Sequence, residues 1–446
     1  MGKLFGTDGV RGIANSELTA ELAYKLGRAG SYILARDYER PKILIGKDTR
    51  ISGDMLEAAL IAGMCSLGAE VYRLGVIPTP AVAYLTRAYN AAAGVVISAS
   101  HNPFHDNGIK FFSGQGYKLP DAIEDEIEAL LDKVDKLPRP EGAGIGRVVD
   151  AASAGGDYLN YLQSCYQADS NCAGMTIALD CANGASSVLA PALWERLGAK
   201  VMVTANQPDG LNINNKCGST HPELVQELVL KTGADIGIAH DGDADRVIIV
   251  DEKGHILDGD HILALCALHL QETGSFNPPT IVATVMSNIG LDMALSSRGI
   301  GIESCAVGDR YVLETMQQTG AKLGGEQSGH IIFLDYATTG DGLLSALKVV
   351  ETMKAAGKPL SELAAVMQPQ PQLLVNIESR NRGVLETAGV KDAISRAYEI
   401  LGSWGKVVVR PSGTEPKLRI MAQGLKEEKV KAAVDVIVQA VKAAAQ

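Results

Sequence analysis

Short β-branched runs alternate with helix-patterned stretches along the whole chain, and this alternation limits the fold more than any other feature. KILIG (42–46), EVYRLG (70–75) and GVVIS (94–98) read as strands, and MLEAALIAGMCSLG (55–68) is apolar at helical spacing. Such alternation builds βαβ units on a mostly parallel sheet. The rhythm resumes at MTIALDCANG (175–184), KVMVTAN (200–206), DIGIAHDG (235–242), TIVATVMSN (280–288) and KLGGEQSGH (322–330). At 446 residues the chain is too long for one core. It is divided by the Pro/Gly-rich stretch KLPRPEGAGIGR (136–147), by a break near DEKGHILDGD (251–260) and by the prolines of MQPQPQLLV (367–375). We expect four α/β units, 1–150, 151–254, 255–368 and 369–446, the last the smallest.

Composition excludes several classes of function. Hydrophobic residues at 46% and charged residues at 21% are ordinary for a soluble globular protein. A net charge of −11 argues against nucleic acid as a partner. An anionic ligand must therefore be held by local basic groups. The seven cysteines are scattered without a CxxC pair, which reads as reduced thiols in the cytoplasm. No apolar run approaches the ~18 residues that cross a bilayer, so no membrane association is expected. Glycine stands at 48 of 446 residues, above the usual ~7%, which suggests backbone approaching a ligand in tight turns.

Ligands of open α/β sheets gather at the carboxyl ends of strands, and four polar loops fall at such ends or comparable turns. In AHDGDADR (239–246), Asp241, Asp243 and Asp245 alternate, so on extended backbone their carboxylates converge. Three like charges at that spacing are costly without a cation, and Mg²⁺ suits a few hard oxygen ligands. An EF-hand reading fails because Arg246 occupies the glycine position; a solvated acidic turn is the plainer alternative. In SASHNPFHDNG (98–108), Ser100 precedes His101, Pro103 keeps Asn102 out of helical geometry, and Asp106-Asn107-Gly108 reads as a turn. The stretch is a good turn sequence in its own right, and it lacks the G-x-S-x-G elbow of a triad serine. A serine that accepts phosphate beside a metal needs no triad.

In GGEQSGH (324–330), three glycines admit close backbone approach, while Glu326, Ser328 and His330 alternate and suit sugar hydroxyls. A polar β-bulge is the other reading. In RPSGTEPKLR (410–419), Arg410 and Arg419 flank Ser412, Gly413 and Thr414, a set fit for a phosphate monoester. The alternative is an exposed turn. The chain has no Walker A loop.

Together, FGTDGVRG (5–12), SASHNPFHDNGIK (98–110), DGDADR (241–246), GEQSGH (325–330) and RPSGTEPKLR (410–419) resemble the α-D-phosphohexomutase family, in its order and from end to end. The resemblance implies an α/β protein of four domains around a central cleft: three similar α/β units with mixed sheets, then a smaller α+β C-terminal domain. It implies a phosphoryl group on Ser100, and one Mg²⁺ per chain held by Ser100, Asp241, Asp243 and Asp245. Glu326, Ser328, His330, Asp309 and Arg310 would contact the sugar phosphate. Arg410, Ser412, Gly413, Thr414 and Arg419 would clamp the phosphate that is not reacting. GEQSGH, GLNINNKCGSTHPE (210–223) and AVGDRYV (306–312) look like the branch that acts on glucosamine phosphates, although Ala244 stands where that branch often has glycine.

The reaction so implied exchanges phosphate between the 6- and 1-hydroxyls of glucosamine through glucosamine 1,6-bisphosphate. Glucose 1,6-bisphosphate is an alternative activator. The product would feed UDP-N-acetylglucosamine synthesis. Arg11 and Arg246 are candidates to steady the phosphoserine. Lys110 and His101 are candidates for proton transfer; Lys110 ranks first but needs a depressed pKa, and His330 is its rival. A phosphoglucomutase or phosphomannomutase of the same family, and a magnesium-dependent sugar phosphatase, are the competing readings. A homodimer rests on the resemblance alone.

Overall fold

The computed structural model describes residues 4–6, 8–166, 171–379, 381–411 and 417–444. Among these residues the chain builds four sheets in succession. The first contains β1 (Phe5–Gly6), β2 (Gly9–Ile13), β3 (Lys42–Lys47), β4 (Glu70–Val76), β5 (Ala93–Ile97), β6 (Asp106–Ser113) and β7 (Val148–Asp150), in the order β1-β2-β6-β5-β3-β4-β7. The second contains β8 (Thr176–Asp180), β9 (Lys200–Thr204), β10 (Ile236–His240), β11 (Val247–Asp251) and β12 (Ile256–Leu257), ordered β12-β11-β10-β8-β9. The third orders β13 (Thr280–Thr284), β14 (Gly301–Cys305), β15 (Leu323–Gly325) and β16 (Ile331–Phe333) as β14-β13-β15-β16. The fourth is antiparallel throughout: β17 (Gln372–Glu378), β18 (Lys406–Pro411) and β19 (Lys417–Gln423), with β19 central.

The first three sheets repeat one wiring. In each, two strands run parallel to a central partner and a further strand turns back antiparallel: β4-β3-β5-β6, β9-β8-β10-β11 and β14-β13-β15-β16. β5 and β10 are buried along their whole length, as strands covered on both faces must be, and their sequences, AGVVI and IGIAH, are accordingly almost wholly apolar. In all three repeats the chain reverses between the third and fourth strands. Those three reversals carry Ser100, the aspartate trio and Glu326.

Two expectations about local structure are corrected. Asp106-Asn107-Gly108 is not a turn: it opens β6 and pairs with β2, Ile13 to Asp106 and Arg11 to Gly108. The reversal lies upstream, at Asn102–His105, where Asp106 N–H closes onto Pro103 O. Second, 136–147 does not simply leave the first unit. It folds back along it, Gly146 N–H bonding to Cys65 O at 2.9 Å, and delivers β7 to β4. A side chain at Gly146 would meet Ala69 O at 2.0 Å, so only glycine fits that approach.

One continuous apolar cluster runs through the first three units, from Leu44 and Val96 through Leu179 and Trp194 to Ile281 and Leu347. The fourth unit has its own core, from Val384 and Val390 to Ile437 and Val441. It meets the third chiefly through polar contacts. Gln423 accepts from Ile289 N–H at 2.8 Å and donates to Ser287 O at 3.2 Å, and Lys406 Nζ donates to Ser287 O at 2.8 Å.

Candidate active site

Ser100 sits three residues beyond β5 and is 1% exposed. Its backbone is left-handed, φ +53, an uncommon setting for serine. Its hydroxyl donates to Asp241 Oδ2 at 2.6 Å, across the seam between the first and second units. His101 Nδ1 lies 3.3 Å from the same Oγ. Burial, and then the nearby Arg246 and Arg11, push the His101 imidazole down to about 4, so it is neutral at pH 7.

The aspartate trio converges, though not by strand alternation. Residues 241–246 form a tight loop after β10, with Ala244 left-handed at φ +56, and the loop gathers the carboxylates. Ligand oxygens of Asp241, Asp243 and Asp245 lie within 4.8 Å of one another, and all three residues are buried. Burial and the charges of Asp245 and Asp243 push the Asp241 carboxyl well up. Asp243 Oδ1 and Asp245 Oδ1 are buried without any hydrogen-bond partner. Buried carboxylate oxygens are almost always satisfied, so orphaned oxygens aimed at a common point fit a divalent cation. Asp243 Oδ2 is taken by Thr79 Oγ1 at 2.7 Å and Lys110 Nζ at 2.9 Å, which orient it from the first unit.

Lys110 is buried and cationic. Burial would lower its pKa, but Asp243, Asp8 and Asp245 overcome that and hold it far above the usual lysine range. The depressed pKa required of a lysine base is therefore not found: its closest charged neighbours are acids rather than cations. Asp8 is a residue to which the sequence reading gave no role. It lies 2.8 Å from Lys110 and also pairs with Lys118 and Arg11. Despite burial, these three cations hold its carboxyl well below the usual range. Its position in FGTDGVRG, beside Arg11, was the available signal.

The third unit closes the site. Glu326 Oε1 accepts from Gly308 N–H at 3.1 Å, and Ser328 is exposed. His330 is buried, with Nδ1 3.6 Å from Asp245 Oδ2 and Nε2 accepting from Gly340 N–H at 3.0 Å. Asp309 pairs with Lys118 of the first unit. Arg310, expected among the substrate contacts, pairs with Asp121, with Glu124 at 3.0 Å, and donates to Leu119 O at 2.8 Å. It fastens the third unit to the helix Asp121–Leu130 of the first. A cavity of about 410 Å³ lies along this seam, with Lys118, Asp309, Arg310 and His330 in its wall. The Gln327 amide donates to Asp258 at 3.1 Å.

In the fourth unit, Arg410 and Arg419 are directly opposed across the β18–β19 hairpin. Like charges at opposed positions repel, and an anion held by both relieves this. Burial and then Arg419 lower the Arg410 pKa, while Glu326 of the third unit opposes both, so the pair faces the sugar loop across the cleft. Ser412, Gly413 and Thr414 lie outside the described residues.

The same division into four appears in comparisons with known proteins. Family models for phosphoglucomutase/phosphomannomutase match in sequence: alpha/beta/alpha domain I over residues 2–138, domain II over 156–254, domain III over 258–370 and the C-terminal domain over 374–440. A protein named phosphoglucosamine mutase from Syntrophomonas wolfei is 61% identical, covering 95% of both chains. One of the same name from Bacillus cereus is 56% identical over 99% of both. Among solved structures, a phosphoglucomutase/phosphomannomutase family protein from Burkholderia thailandensis shares the fold with a TM-score of 0.82 at 23% identity, over 99% of this chain and 97% of that one. With matches to every unit, in order and over nearly its full length, the chain belongs to the phosphoglucomutase/phosphomannomutase family.

Proposed function

We propose that this protein is a phosphoglucosamine mutase, interconverting glucosamine 6-phosphate and glucosamine 1-phosphate with Ser100 as the phosphoryl carrier. The observation that carries the reading is the 2.6 Å contact between Ser100 Oγ and Asp241 inside a buried three-carboxylate cluster. Three clustered buried acids cost stability, which a cation or a phosphoryl site beside the serine would offset. The 56–61% identical relatives named phosphoglucosamine mutase favour the amino sugar over glucose or mannose.

In the proposed cycle, phosphorylated Ser100 gives its phosphoryl group to the free hydroxyl of the bound sugar phosphate. The bond from phosphorus to Oγ breaks, a bond to the sugar oxygen forms, and the hydroxyl proton ends on the freed Ser100 Oγ, with the neutral His101 imidazole, 3.3 Å from Oγ, placed to relay it. The resulting glucosamine 1,6-bisphosphate turns over within the cleft and returns its other phosphate to Ser100. Asp241, Asp243 and Asp245, with Ser100, would hold Mg²⁺, which when bound supplies charge neutralisation for the transferring group. Arg246 and Arg11 lie close enough to His101 to shift its pKa, and so are near the phosphoserine they would steady. Lys110 contributes positive charge beside Asp243. Arg410 and Arg419 would grip the distal phosphate in either orientation of the sugar, while Glu326 and Ser328 engage hydroxyls.

The test is isomerisation of glucosamine 6-phosphate by the purified protein, with and without added glucose 1,6-bisphosphate. Mutase activity stimulated by the bisphosphate, with kcat/KM highest on glucosamine phosphates, supports the reading. Steady release of inorganic phosphate identifies a phosphatase instead, and higher kcat/KM on glucose or mannose phosphates selects the sibling activities.

A further inference from the structure

Left-handed backbone at a serine persists only where its surroundings hold it, and the groups that hold Ser100 converge from two units. Arg50 has a fully buried side chain and directs its guanidinium at one loop. Its Nη2 donates to Ser100 O and to Asn102 O, both at 2.9 Å, and its Nη1 donates to Pro103 O. Its Nε pairs with Asp48 Oδ2 at 2.9 Å. Asp48 Oδ2 also accepts from Ser98 Oγ at 2.6 Å, and Ser98 Oγ accepts the N–H of Ser100 at 2.9 Å. One buried ion pair thus holds both the N–H and the C=O of Ser100.

The second unit adds a duplicate grip. Asn214, within GLNINNKCGSTHPE, donates through Nδ2 to Ser100 O at 2.9 Å and to Asn102 O at 3.1 Å. It is itself left-handed, at φ +57, a setting that asparagine tolerates. Gly242 of the aspartate loop packs on the same point: a side chain there would meet Ser100 O at 2.6 Å and Asn214 Nδ2 at 2.8 Å. The carbonyl of the serine is therefore where the phosphoryl loop, the aspartate loop and the Asn214 loop meet.

We propose that Arg50 and Asn214 are positioning residues for phosphoryl transfer, which clamp the Ser100 and Asn102 carbonyls so that Ser100 keeps the backbone that aims Oγ at Asp241. The inference rests on Ser100 being the phosphoryl carrier. Neither residue is required to touch the sugar, so their loss acts on the chemical step. A small misplacement of a reacting group costs about 10²-fold in rate.

The test compares Asn214→Ala, Asn214→Asp and Arg50→Lys with the parent and with Ser100→Ala, all as full-length protein. Asn214→Asp keeps shape and backbone preference but sets an acceptor against two carbonyl oxygens. Arg50→Lys keeps the charge opposite Asp48 but loses the fork. We expect kcat to fall about 10²-fold in each, with KM for glucosamine 6-phosphate within about twofold. Loading of Ser100 from glucose 1,6-bisphosphate, followed by intact mass, should slow to match. Asn214→Ala should melt within a few degrees of the parent, which separates positioning from unfolding. Parent-like kcat in both Asn214 variants, with Ser100→Ala inactive, overturns this inference alone. Turnover by Ser100→Ala overturns the carrier reading, and this one with it.

Discussion

Ser100 is held by more groups than a turn residue requires, and its chemistry is open to direct test. Under the proposed carrier role, Ser100→Ala removes the phosphoryl acceptor while Arg50 and Asn214 still hold the loop backbone, so turnover should fall by ~10³-fold or more at unchanged melting temperature. Conversion of glucosamine 6-phosphate by the two proteins decides it. Asp243→Asn keeps the acceptor oxygen for Thr79 but halves what Asp243 offers a cation, so half-saturating Mg²⁺ should rise about 10- to 100-fold in a magnesium titration of activity. At this scale the sequence was only partly legible. Residue types at the loops could be read directly, because glycine, acid and arginine each have a narrow use there. The charge state of Lys110 could not, because its pKa is set by Asp8 and Asp243, one about a hundred residues away along the chain and the other more distant still. Arg50 and Asp48 could have been noticed, since KDTR follows directly on a strand, where ligands gather.

At the scale of elements, the three reversals between third and fourth strands explain why the site was visible in the sequence at all. Each of these reversals is a short polar loop, and the three loops meet: Ser100 Oγ bonds Asp241 at 2.6 Å, and His330 Nδ1 lies 3.6 Å from Asp245 Oδ2. Asp106, Asn107 and Gly108 have the local chemistry of a turn, but β2 offers them ladder partners from the start of the chain, and the ladder wins. The β18–β19 hairpin is the fourth loop, and its paired arginines make a separable prediction. Arg410→Ala removes a like charge beside Arg419 and, under the proposed clamp, charge-assisted bonds to phosphate. KM for glucosamine 6-phosphate should therefore rise about 10- to 100-fold with melting temperature unchanged or slightly higher. Paired kinetics and calorimetry test both halves.

For the whole molecule, the shared apolar cluster makes the first three units one body, and polar contacts attach the fourth. At that junction Asp260 is buried, with Oδ2 accepting from Asn288 N–H at 2.7 Å and Oδ1 unpartnered. Burial and then Asp258 push its carboxyl up to about 7. The sign follows from linkage. Between pH 4 and 7 the unfolded carboxyl is ionised while the folded one stays protonated, so stability falls as pH rises through that window. A rise from 3.8 to about 7 sets an upper limit of roughly 4 kcal/mol. Asp260→Asn should remove that slope and gain most above pH 7, read as the difference in melting temperature from the parent across pH 4 to 8. This was not legible in the sequence, because an aspartate near a helix start looks like a solvated first-turn acid, and only the folded seam buries it. The double hold on the Ser100 carbonyl, by Arg50 from one side and Asn214 from the other, has a mechanical corollary. Parting the second unit from the first would strip the Asn214 bond from the Ser100 carbonyl, while Arg50, which travels with the serine, would keep its own.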